Sequence, residues 1–346
     1  MIKKGFYVPD GDGERVGGLP PTKNTYTADE FVLESKYTAV DPEMRFDNNT
    51  AMKVSVVIPV YNRPEMLYRI LWSLWKQQDS NYEVLVSNDD DESFTEKTES
   101  VISEFRDRGM TIPSFKTGQY KRGRGWSVET YPYNVGIRKA TGDIILLNSG
   151  DVLSVTNTIS QHRSKHQEDS NEKSVFFSTV HGLQQDVYAN IDSYPWKEDA
   201  MCLLFEGSCE NMYCGQGKSY ARDRSKEPYE LIAPRPYHYQ MSVKRDVLYA
   251  LRGFDEFFYG RMPAGDDDIA MRMVKYGCTL MYTADILAIH QWHPQSNVFG
   301  TTNPDTEVSP LDYWELVAQF KPGVSRNENH EWGQFPRDMK SLGVGQ

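Results

Sequence analysis

The sequence predicts an α/β fold in which helices cover both faces of a mainly parallel sheet. Three short apolar runs carry this prediction, because each has the length of a buried strand and is too short for a buried helix. They occupy residues 54–59, 83–87 and 143–148. Helical patterns separate them. Parallel strands need such crossover connections, so the alternation indicates a parallel sheet covered on both faces.

The segment after the first run carries the signals of a helix. Asn62 stands as an N-cap with Glu65 three residues later, which is the arrangement of a capping box. Apolar residues then recur at the spacing of one helical face: Leu67, Ile70, Leu71 and Leu74.

Three further helices are predicted from periodicity and end signals. One runs over residues 94–108 and is closed by Gly109, and another ends at Ala140 with Gly142 placed as its C-cap. A later helix covers residues 266–276, where Ile269 and Met273 lie on its apolar face.

The chain divides into three predicted parts. Residues 1–50 form an N-terminal extension rich in Gly, Pro, Asp and Thr, residues 51–297 form the main domain, and residues 298–346 form a C-terminal extension. Residues 199–235 hold scattered Gly, Pro and Tyr, which predicts a long loop, and long ordered loops usually bind a ligand.

Composition restricts the partners and the compartment. The chain has 346 residues, with 38 basic and 49 acidic side chains and a net charge of -11, which argues against nucleic acid and anionic lipid as partners. Four cysteines without paired CxxC spacing indicate reduced thiols. No stretch resembles a signal peptide or is apolar enough to span a bilayer, so the sequence predicts a cytoplasmic protein without a membrane span.

Three polar clusters that contain acidic residues stand at the ends of predicted elements. Residues 88–92 and 148–151 each follow a strand, and residues 266–268 open a helix. Acidic side chains that converge at strand ends repel one another, and a divalent cation would offset that repulsion. Carboxylates together with imidazole suit Mn²⁺ or Mg²⁺, so the sequence predicts one of these ions as a cofactor.

Four motifs in order resemble the GT-A fold nucleotide-sugar glycosyltransferases, specifically the inverting family-two type. They occupy residues 54–62, 83–89, 134–143 and 253–256, and the block 253–272 is also similar to the carboxy-terminal motif of galactosyltransferases. The resemblance implies a GT-A type Rossmann-like sheet. It also implies a nucleotide-binding half at residues 51–152 and an acceptor and catalytic half at residues 153–297. The implied partners are a nucleotide-sugar donor, with a UDP-sugar leading, and a glycan or other hydroxyl acceptor.

The resemblance also implies roles for individual residues. Asp151 is the remaining carboxylate of a metal motif in which Asn148 and Gly150 replace two acidic positions, and His290 resembles a late histidine ligand. Asp151 and His290 are therefore the predicted metal ligands. Residues predicted to contact the nucleotide are Pro59, Tyr61, Asn62, Asn88, Asp89, Asn134 and Asn148.

The predicted catalytic residues are Asp266 and Asp267. Asp266 falls on the acidic residue of the family motif that serves as base, while Gly265 replaces the preceding glutamate. Consecutive residues of a helix do not share a face, so Asp266, Asp267 and Asp268 cannot all perform one task.

Structural alternatives stand beside these assignments. Residues 89–91 also suit a solvated turn, Asp151 the N-cap of a following helix, and Asp266 a partner of the helix dipole. His290 has a structural alternative, with His293 as the fallback ligand. His162 and His166 have zinc-like helical spacing without a carboxylate signature, which favours a surface helix. Residues 121–124 suit either a diphosphate contact or a solvated loop.

Two other functions stay open at this point. The altered metal motif and Gly265 also fit a catalytically degraded GT-A relative that serves as a sugar- or partner-binding module. A nucleotidyltransferase shares the nucleotide-binding architecture, although the Gly-rich, basic signature of that class is absent after Pro59.

Overall fold

The structure is a computed structural model that describes residues 52–77, 79–117, 130–204, 208–214, 219–220, 239–256, 265–294, 325–328 and 331–333. The predicted N-terminal extension and the basic run at residues 121–124 lie outside the described residues. So does the predicted C-terminal extension, apart from the two short segments after residue 324.

The first half of the fold alternates strands with helices. Its elements are β1 (Val54–Val60), α1 (Pro64–Trp75), β2 (Tyr82–Asn88), α2 (Glu92–Asp107), β3 (Ser114–Lys116), α3 (Thr130–Lys139) and β4 (Ile144–Asn148). Strand β1 pairs in parallel with β2 and β4, and β2 pairs in parallel with β3. This part confirms the alternation predicted from the apolar runs.

The second half adds strands of both directions. Its elements are β5 (Val152–Ser154), α4 (Thr158–Glu168), β6 (Ser174–Leu183), α5 (Gln185–Ala189), 3₁₀ turns at Ile191–Ser193 and Ala200–Leu204, β7 (Cys209–Cys214), β8 (Ser219–Tyr220), β9 (Gln240–Lys244), α6 (Arg245–Leu251), α7 (Gly265–Tyr276) and β10 (Thr279–His290).

All described strands join one mixed sheet. The order is β3-β2-β1-β4-β9-β6-β10-β5, with β7 beside β6 and β8 beside β10. Strand β9 is antiparallel to both β4 and β6, and β5 is antiparallel to β10, whereas β6 and β10 run parallel. The predicted α/β class is confirmed, and the parallel strands concentrate in the first half.

Strand β1 lies at the centre of the core, and all seven of its residues are buried. Its side chains alternate between two apolar clusters: Val56 and Ile58 pack with α1 and α2, whereas Val57 packs with α3, α6 and α7. A strand that is covered on both faces needs apolar residues on both, which explains its unbroken apolar run. Helices on both faces are therefore confirmed.

Two predicted helix ends differ from the structure. The capping box is wrong: α1 begins at Pro64 after Arg63, and Asn62 instead has a left-handed backbone with φ of 54°. Gly142 lies beyond the end of α3, where a Cβ atom would come within 2.7 Å of backbone atoms of Lys53 and Ser55. Close approach to β1, rather than helix capping, therefore explains this glycine. Gly109 has φ of 92° and closes α2 as predicted.

Two further expectations are corrected. Residues 199–235 are not one loop, because a 3₁₀ turn, β7 and β8 lie within them, while residues 221–235 lie outside the described residues. His162 and His166 do not lie on a surface helix, since both are buried on the sheet side of α4.

Within the described residues, every helix is too short or too polar to cross a membrane.

Candidate active site and metal centre

Asp151, His290 and His293 lie together at the carboxyl end of β4. Asp151 occupies the turn between β4 and β5, and the antiparallel register of β5 with β10 places Val152 opposite His290. The amide of Gln291 donates to the Asp151 carbonyl at 2.8 Å, which extends this pairing by one residue. The strand register therefore brings a carboxylate and a distant histidine to the same place.

The three side chains form a compact donor group. His290 Nε2 lies 3.7 Å from Asp151 Oδ1, and His293 Nε2 lies 3.3 Å from Asp151 Oδ2. One carboxylate oxygen and one imidazole nitrogen from each histidine all lie within 4.8 Å of one another. The structure thus joins the predicted ligands Asp151 and His290 and adds the fallback ligand His293.

Charges of opposite sign surround the buried carboxylate. Arg63 donates to Asp151 Oδ2 at 2.6 Å from the loop between β1 and α1. Burial alone would raise the pKa of Asp151, but the charges of His290 and Arg63 and the hydrogen bond from His293 hold it below its ordinary value. The carboxylate is therefore ionised, as a metal ligand must be.

The donor group fits a divalent cation. Asp151 Oδ1 is buried and has no hydrogen-bond partner among the described residues, and its distance to His290 exceeds that of a hydrogen bond. An octahedral ion with ligands near 2.1 Å keeps adjacent ligand atoms roughly 3 Å apart. The observed spacing needs only small side-chain movements to reach that geometry, and an ion would satisfy the orphaned oxygen.

The turn that carries Asp151 explains the two altered positions of the metal motif. Asn148 is fully buried, and its Nδ2 donates to the carbonyls of Ser149 and Val152 at 2.9 and 3.0 Å. Gly150 packs on β1, where a Cβ atom would lie 2.3 Å from the Pro59 carbonyl oxygen. Asn148, predicted to contact the nucleotide, instead has its amide occupied in closing this turn.

The acidic segment after β2 is tied to the loop after β1. The backbone amide of Asn62 donates to Asp90, and the Asn62 side chain exchanges two hydrogen bonds with Asp91, at 2.6 and 2.9 Å. The Tyr61 hydroxyl donates to Asp91 at 3.2 Å. Asp91 is exposed, whereas Asp89 and Asp90 are buried, so the solvated-turn alternative is wrong for those two.

Asn88 and Asp89 differ in how their polar atoms are used. Asp89 accepts a hydrogen bond from the Thr117 hydroxyl at 2.9 Å. Asn88 Oδ1 accepts from the Asp90 amide, while its buried Nδ2 has no hydrogen-bond partner among the described residues. Burial raises the pKa of Asp90 despite its hydrogen bonds from Thr98 and Asn62. An unsatisfied buried donor at a strand end is a natural contact for a ligand carbonyl.

Asn134, predicted to contact the nucleotide, has a structural role. Its Nδ2 donates to the Phe254 carbonyl at 2.8 Å and to Glu256 at 3.0 Å, and its Oδ1 accepts from the Phe254 amide at 2.8 Å. The residue is fully buried in α3. It therefore joins the third motif to the fourth by holding the turn at residues 253–256.

The acidic triplet at residues 266–268 is divided between positions. Asp266 and Asp267 lie in the first turn of α7, and their side chains lie outside the described part of the structure. Asp268 is buried, and its two oxygens pair with Arg272 at 2.7 Å and Arg326 at 3.3 Å. Asp268 is thus structural, in line with the expectation that the three carboxylates cannot share one task.

A cleft lies beside Trp292. It has a volume of about 550 Å³ and is lined by Gln184, Gln185, Asp186, Ala189, Asn190 and Trp292. Trp292 stands between the two histidines in sequence, and its ring lies 6.3 Å from that of Tyr188. An aromatic face beside amide and carboxylate groups is suited to a ligand with both apolar and hydroxyl surfaces.

Sequence reasoning missed Arg63 and the cleft. Arg63 directly follows the motif at residues 54–62, and that position beside the predicted nucleotide contacts was the available signal. The structural alternative for Asp151 is wrong, because Asp151 precedes β5 and the next helix begins only at Thr158.

Comparisons with known proteins define the class. Residues 55–216 match the model of Glycosyl transferase family 2. A relative from Bacillus subtilis (strain 168), named uncharacterized glycosyltransferase YfnE, is 26% identical over 317 residues, which cover 83% of this chain and 76% of the relative.

Two solved structures share the fold. The S. aureus TarS 1-349 complex with UDP-GlcNAc matches with a TM-score of 0.51 and 17% identity over 78% of this chain and 65% of that one. GalNAc-T7 with UDP, GalNAc and Mn²⁺ matches with a TM-score of 0.50 and 11% identity over 71% of this chain and 45% of that one. The chain spans less than two thirds of either structure.

These matches make the protein a glycosyltransferase of the GT-A fold. The resemblance predicted from the motifs, to GT-A enzymes of the family-two type, is confirmed by the family match. That match ends at residue 216, so the galactosyltransferase-like block at residues 253–272, the inverting outcome and the base Asp266 stay predictions.

Proposed function

We propose that the protein transfers a sugar from a nucleotide-sugar, with a UDP-sugar as the leading donor, to a hydroxyl acceptor in a metal-dependent, inverting reaction. The observation that carries the proposal is the group of Asp151, His290 and His293, in which one buried carboxylate oxygen has no hydrogen-bond partner among the described residues. Its place beyond β4 is where α/β sheets bind ligands. The UDP complexes of structures with the same fold support the choice of donor.

The proposed cofactor is Mn²⁺, with Mg²⁺ as the second choice. Two imidazole donors favour Mn²⁺, because Mg²⁺ strongly prefers oxygen ligands. A divalent cation held there would neutralise the negative charge that develops on the departing nucleoside diphosphate. GalNAc-T7, a structure with the same fold, contains Mn²⁺ together with UDP.

The protein's own residues would bind and orient the donor. Arg63 supplies a positive charge beside Asp151 and is placed to contact a diphosphate oxygen. The orphaned Nδ2 of Asn88 is placed to donate to a carbonyl of the base, and Tyr61, Asn62 and Asp89 line the same pair of strand ends. Asn134 and Asn148 would not contact the donor directly; their buried amides would hold the neighbouring turns in place.

The acceptor is activated in this proposal by a carboxylate at the start of α7. Asp266 would take the hydroxyl proton as the oxygen attacks the anomeric carbon and the bond from that carbon to the diphosphate breaks, so that the configuration inverts. The N-terminus of a helix favours an ionised carboxylate, as a base requires. Asp267 is the neighbouring candidate for the same task.

The acceptor would enter through the cleft that Trp292 lines. A sugar ring presents one apolar face and several hydroxyls, which match the indole face and the side chains of Gln184, Asp186 and Asn190. The acceptor hydroxyl would then approach from the side of the donor group on which His293 lies.

A transfer assay tests this function directly. The full chain is incubated with a panel of UDP-sugars and glycan acceptors in Mn²⁺, and free UDP and product are measured. Asp266→Asn is expected to abolish transfer while UDP still binds in the presence of Mn²⁺. Asp246→Asn is the matched control, because Asp246 is an exposed acid in the first turn of α6.

The alternatives predict other outcomes of the same assay. A sugar- or partner-binding relative would bind UDP and Mn²⁺ but release no UDP from any donor. A nucleotidyltransferase would also release no UDP from these donors, and would form pyrophosphate only when a parallel reaction supplies a nucleoside triphosphate and a sugar 1-phosphate. Full turnover by Asp266→Asn would remove the proposed base but leave the transfer reaction standing.

A further inference from the structure

A chain of six buried polar side chains, here named the buried relay, leads from α4 across the sheet to the turn that holds Asp151. Its members, in order, are His166, Ser242, His162, Ser178, Gln240 and Asn148. The successive distances are 2.9, 2.8, 3.0, 2.6 and 2.7 Å. All six are at most 2% exposed, so water does not compete for these bonds.

The carbonyls of the turn fix the direction of the relay. Asn148 contacts the carbonyls of Ser149 and Val152, and carbonyls only accept hydrogen bonds, so the Asn148 Nδ2 must face them. Its Oδ1 therefore faces Gln240 and accepts from Gln240 Nε2. Gln240 Nε2 also donates to the Ser154 hydroxyl at 3.0 Å. The orientation of one amide thus determines that of the next.

The same direction continues to the histidines. Gln240 Oε1 accepts from the Ser178 hydroxyl, so Ser178 must in turn accept from His162 Nε2. Burial lowers the pKa of His162 to about 3, so this ring is neutral. Its single proton is on Nε2, because Ser178 accepts from that nitrogen. Its Nδ1 then accepts from Ser242, and Ser242 accepts from His166 Nε2. Every donor along the chain points toward Asp151.

The end of the relay encloses the metal-binding carboxylate. Asn148 bonds to the residues on both sides of Gly150 and Asp151, and Gly150 is pressed against the Pro59 carbonyl. A reversed Asn148 amide would set its oxygen against two carbonyl oxygens and open the turn. Gln240 opposes that reversal, because its own amide is held in place by Ser178 and His162.

We propose that the buried relay is a positioning device for Asp151, in which His162 and Ser178 hold the Gln240 and Asn148 amides in the single orientation that closes the metal-binding turn. The proposal rests on the proposed metal function of Asp151. In this proposal Asn148 is not a substitute for a metal ligand. Its NH₂ group donates to the carbonyls that close the turn, which a carboxylate at this position could not do.

Ser178→Ala and Asn148→Asp test the relay on the full chain, with Ser174→Ala as the matched control. Ser178→Ala removes the link between His162 and Gln240, and Ser174→Ala is the control, because Ser174 is a buried serine of the same strand whose hydroxyl bonds to Asp169 at 2.6 Å. Mn²⁺ affinity is measured by calorimetry without donor, and unfolding by urea. Loss of a supporting partner commonly weakens metal binding at least about tenfold. We expect that loss for Ser178→Ala and less than about a twofold change for Ser174→Ala.

Asn148→Asp provides the sharpest contrast. If Asn148 only marks a lost metal ligand, an aspartate there strengthens Mn²⁺ binding. If the relay is correct, the carboxylate opposes the carbonyls of Ser149 and Val152, and binding weakens by about tenfold or more. Stronger binding by Asn148→Asp, or equal losses in the two serine variants, would overturn the relay.

A spectroscopic readout separates the relay from the metal function. Long-range ¹H–¹⁵N spectra of the imidazoles are expected to show His162 neutral with its proton on Nε2 in the wild-type chain, and a changed spectrum in Ser178→Ala. A proton on Nδ1 of His162 would overturn the relay whatever the metal data show. A wild-type chain that gives the expected spectrum but binds no Mn²⁺ would instead contradict the proposed metal function and, with it, the role of Asp151 as a ligand.

Discussion

Arg63 and Asp151 form an ion pair of 2.6 Å that occupies one oxygen of the carboxylate and leaves the other buried without a hydrogen-bond partner among the described residues. The occupied oxygen also faces His293, and the unoccupied one faces His290. The two halves of the carboxylate therefore have different tasks. Oδ1 is directed to the proposed ion, whereas Oδ2 holds a cationic side chain that also matches a diphosphate.

This arrangement predicts opposite effects of Arg63→Gln on two ligands. Arg63 competes with a cation for Asp151 but supplements it as a partner of the diphosphate. We expect Mn²⁺ alone to bind Arg63→Gln as tightly as the wild-type chain or more tightly, and UDP in the presence of Mn²⁺ to bind about tenfold more weakly, which is about 1.4 kcal/mol. Calorimetry with each ligand measures both effects.

Arg108→Gln is the control for that experiment, because Arg108, which directly follows α2, pairs with Glu104 at 2.9 Å on the surface. It should leave both affinities unchanged. Parallel weakening of Mn²⁺ and UDP binding by Arg63→Gln would show that Arg63 merely supports the fold of the site.

The buried histidines predict a dependence of stability on pH. Burial lowers the pKa of His162 to about 3 and that of His166 to about 4. The unfolded chain therefore binds more protons than the folded chain between these values and about 6.5. Their contribution to stability is complete above pH 6.5 and is lost progressively as the pH falls, with a slope of up to about 1.4 kcal/mol per pH unit for each ring.

His162→Gln checks the sign and size of this effect. The variant should be less stable than the wild-type chain at pH 7, and the difference should shrink by about 1 to 2 kcal/mol between pH 6.5 and pH 5. Urea unfolding at both pH values measures it. A difference that stays constant with pH would mean that His162 is not buried in its neutral form.

The acceptor cleft predicts a separation of kinetic constants. Trp292→Ala should raise the KM for a glycan acceptor about tenfold, because the variant removes the aromatic face on which the apolar face of a sugar would pack. UDP affinity and metal affinity should not change. Tyr249→Ala, which removes an exposed aromatic residue of α6, is the control. An unchanged acceptor KM in Trp292→Ala would place the acceptor elsewhere.

Much of the fold could be predicted from local pattern. Strand β1 was predicted because a strand buried on both faces must be apolar at every position, and its seven residues are all buried. The antiparallel strands β7 and β8 were missed, because their sequences lack a clear alternation and their pairing depends on the neighbouring strands β6 and β10. Helix α1 was predicted, but its start was misplaced by the capping-box pattern.

Individual residues of the site could be predicted only where they fall on a motif whose residue roles the family resemblance implies. Asp151 and His290 were predicted through the resemblance, whereas Asn134 and Asn148 were assigned to the nucleotide although the structure uses their amides inside the protein. The partners that decide this are remote: Gln240 is 92 positions from Asn148, and Glu256 is 122 positions from Asn134. The pattern of neighbouring residues in the sequence does not predict hydrogen bonds between residues so far apart along the chain.

The last prediction concerns Gly150, which stands at the third position of the metal motif in place of an acidic residue. A Cβ atom at position 150 would lie 2.3 Å from the Pro59 carbonyl oxygen, a backbone atom held in the centre of the sheet. Gly150→Ala must therefore push the turn away from β1 and displace Asp151. Overpacking of this kind costs about 1 to 3 kcal/mol of stability, and we expect Mn²⁺ binding to weaken at least about tenfold.

Gly109→Ala is the matched control, because Gly109 has φ of 92° but nothing lies within 4 Å of its Cβ position. Its backbone strain should cost about 1 to 2 kcal/mol and leave Mn²⁺ affinity unchanged. Gly150→Asp sharpens the test: as a restored ligand it would strengthen Mn²⁺ binding, but the space beside Pro59 requires that it weaken binding as the alanine does. Gly150 is therefore needed in this turn because the absence of a side chain lets the turn pack against Pro59 and so places Asp151 among the donor atoms.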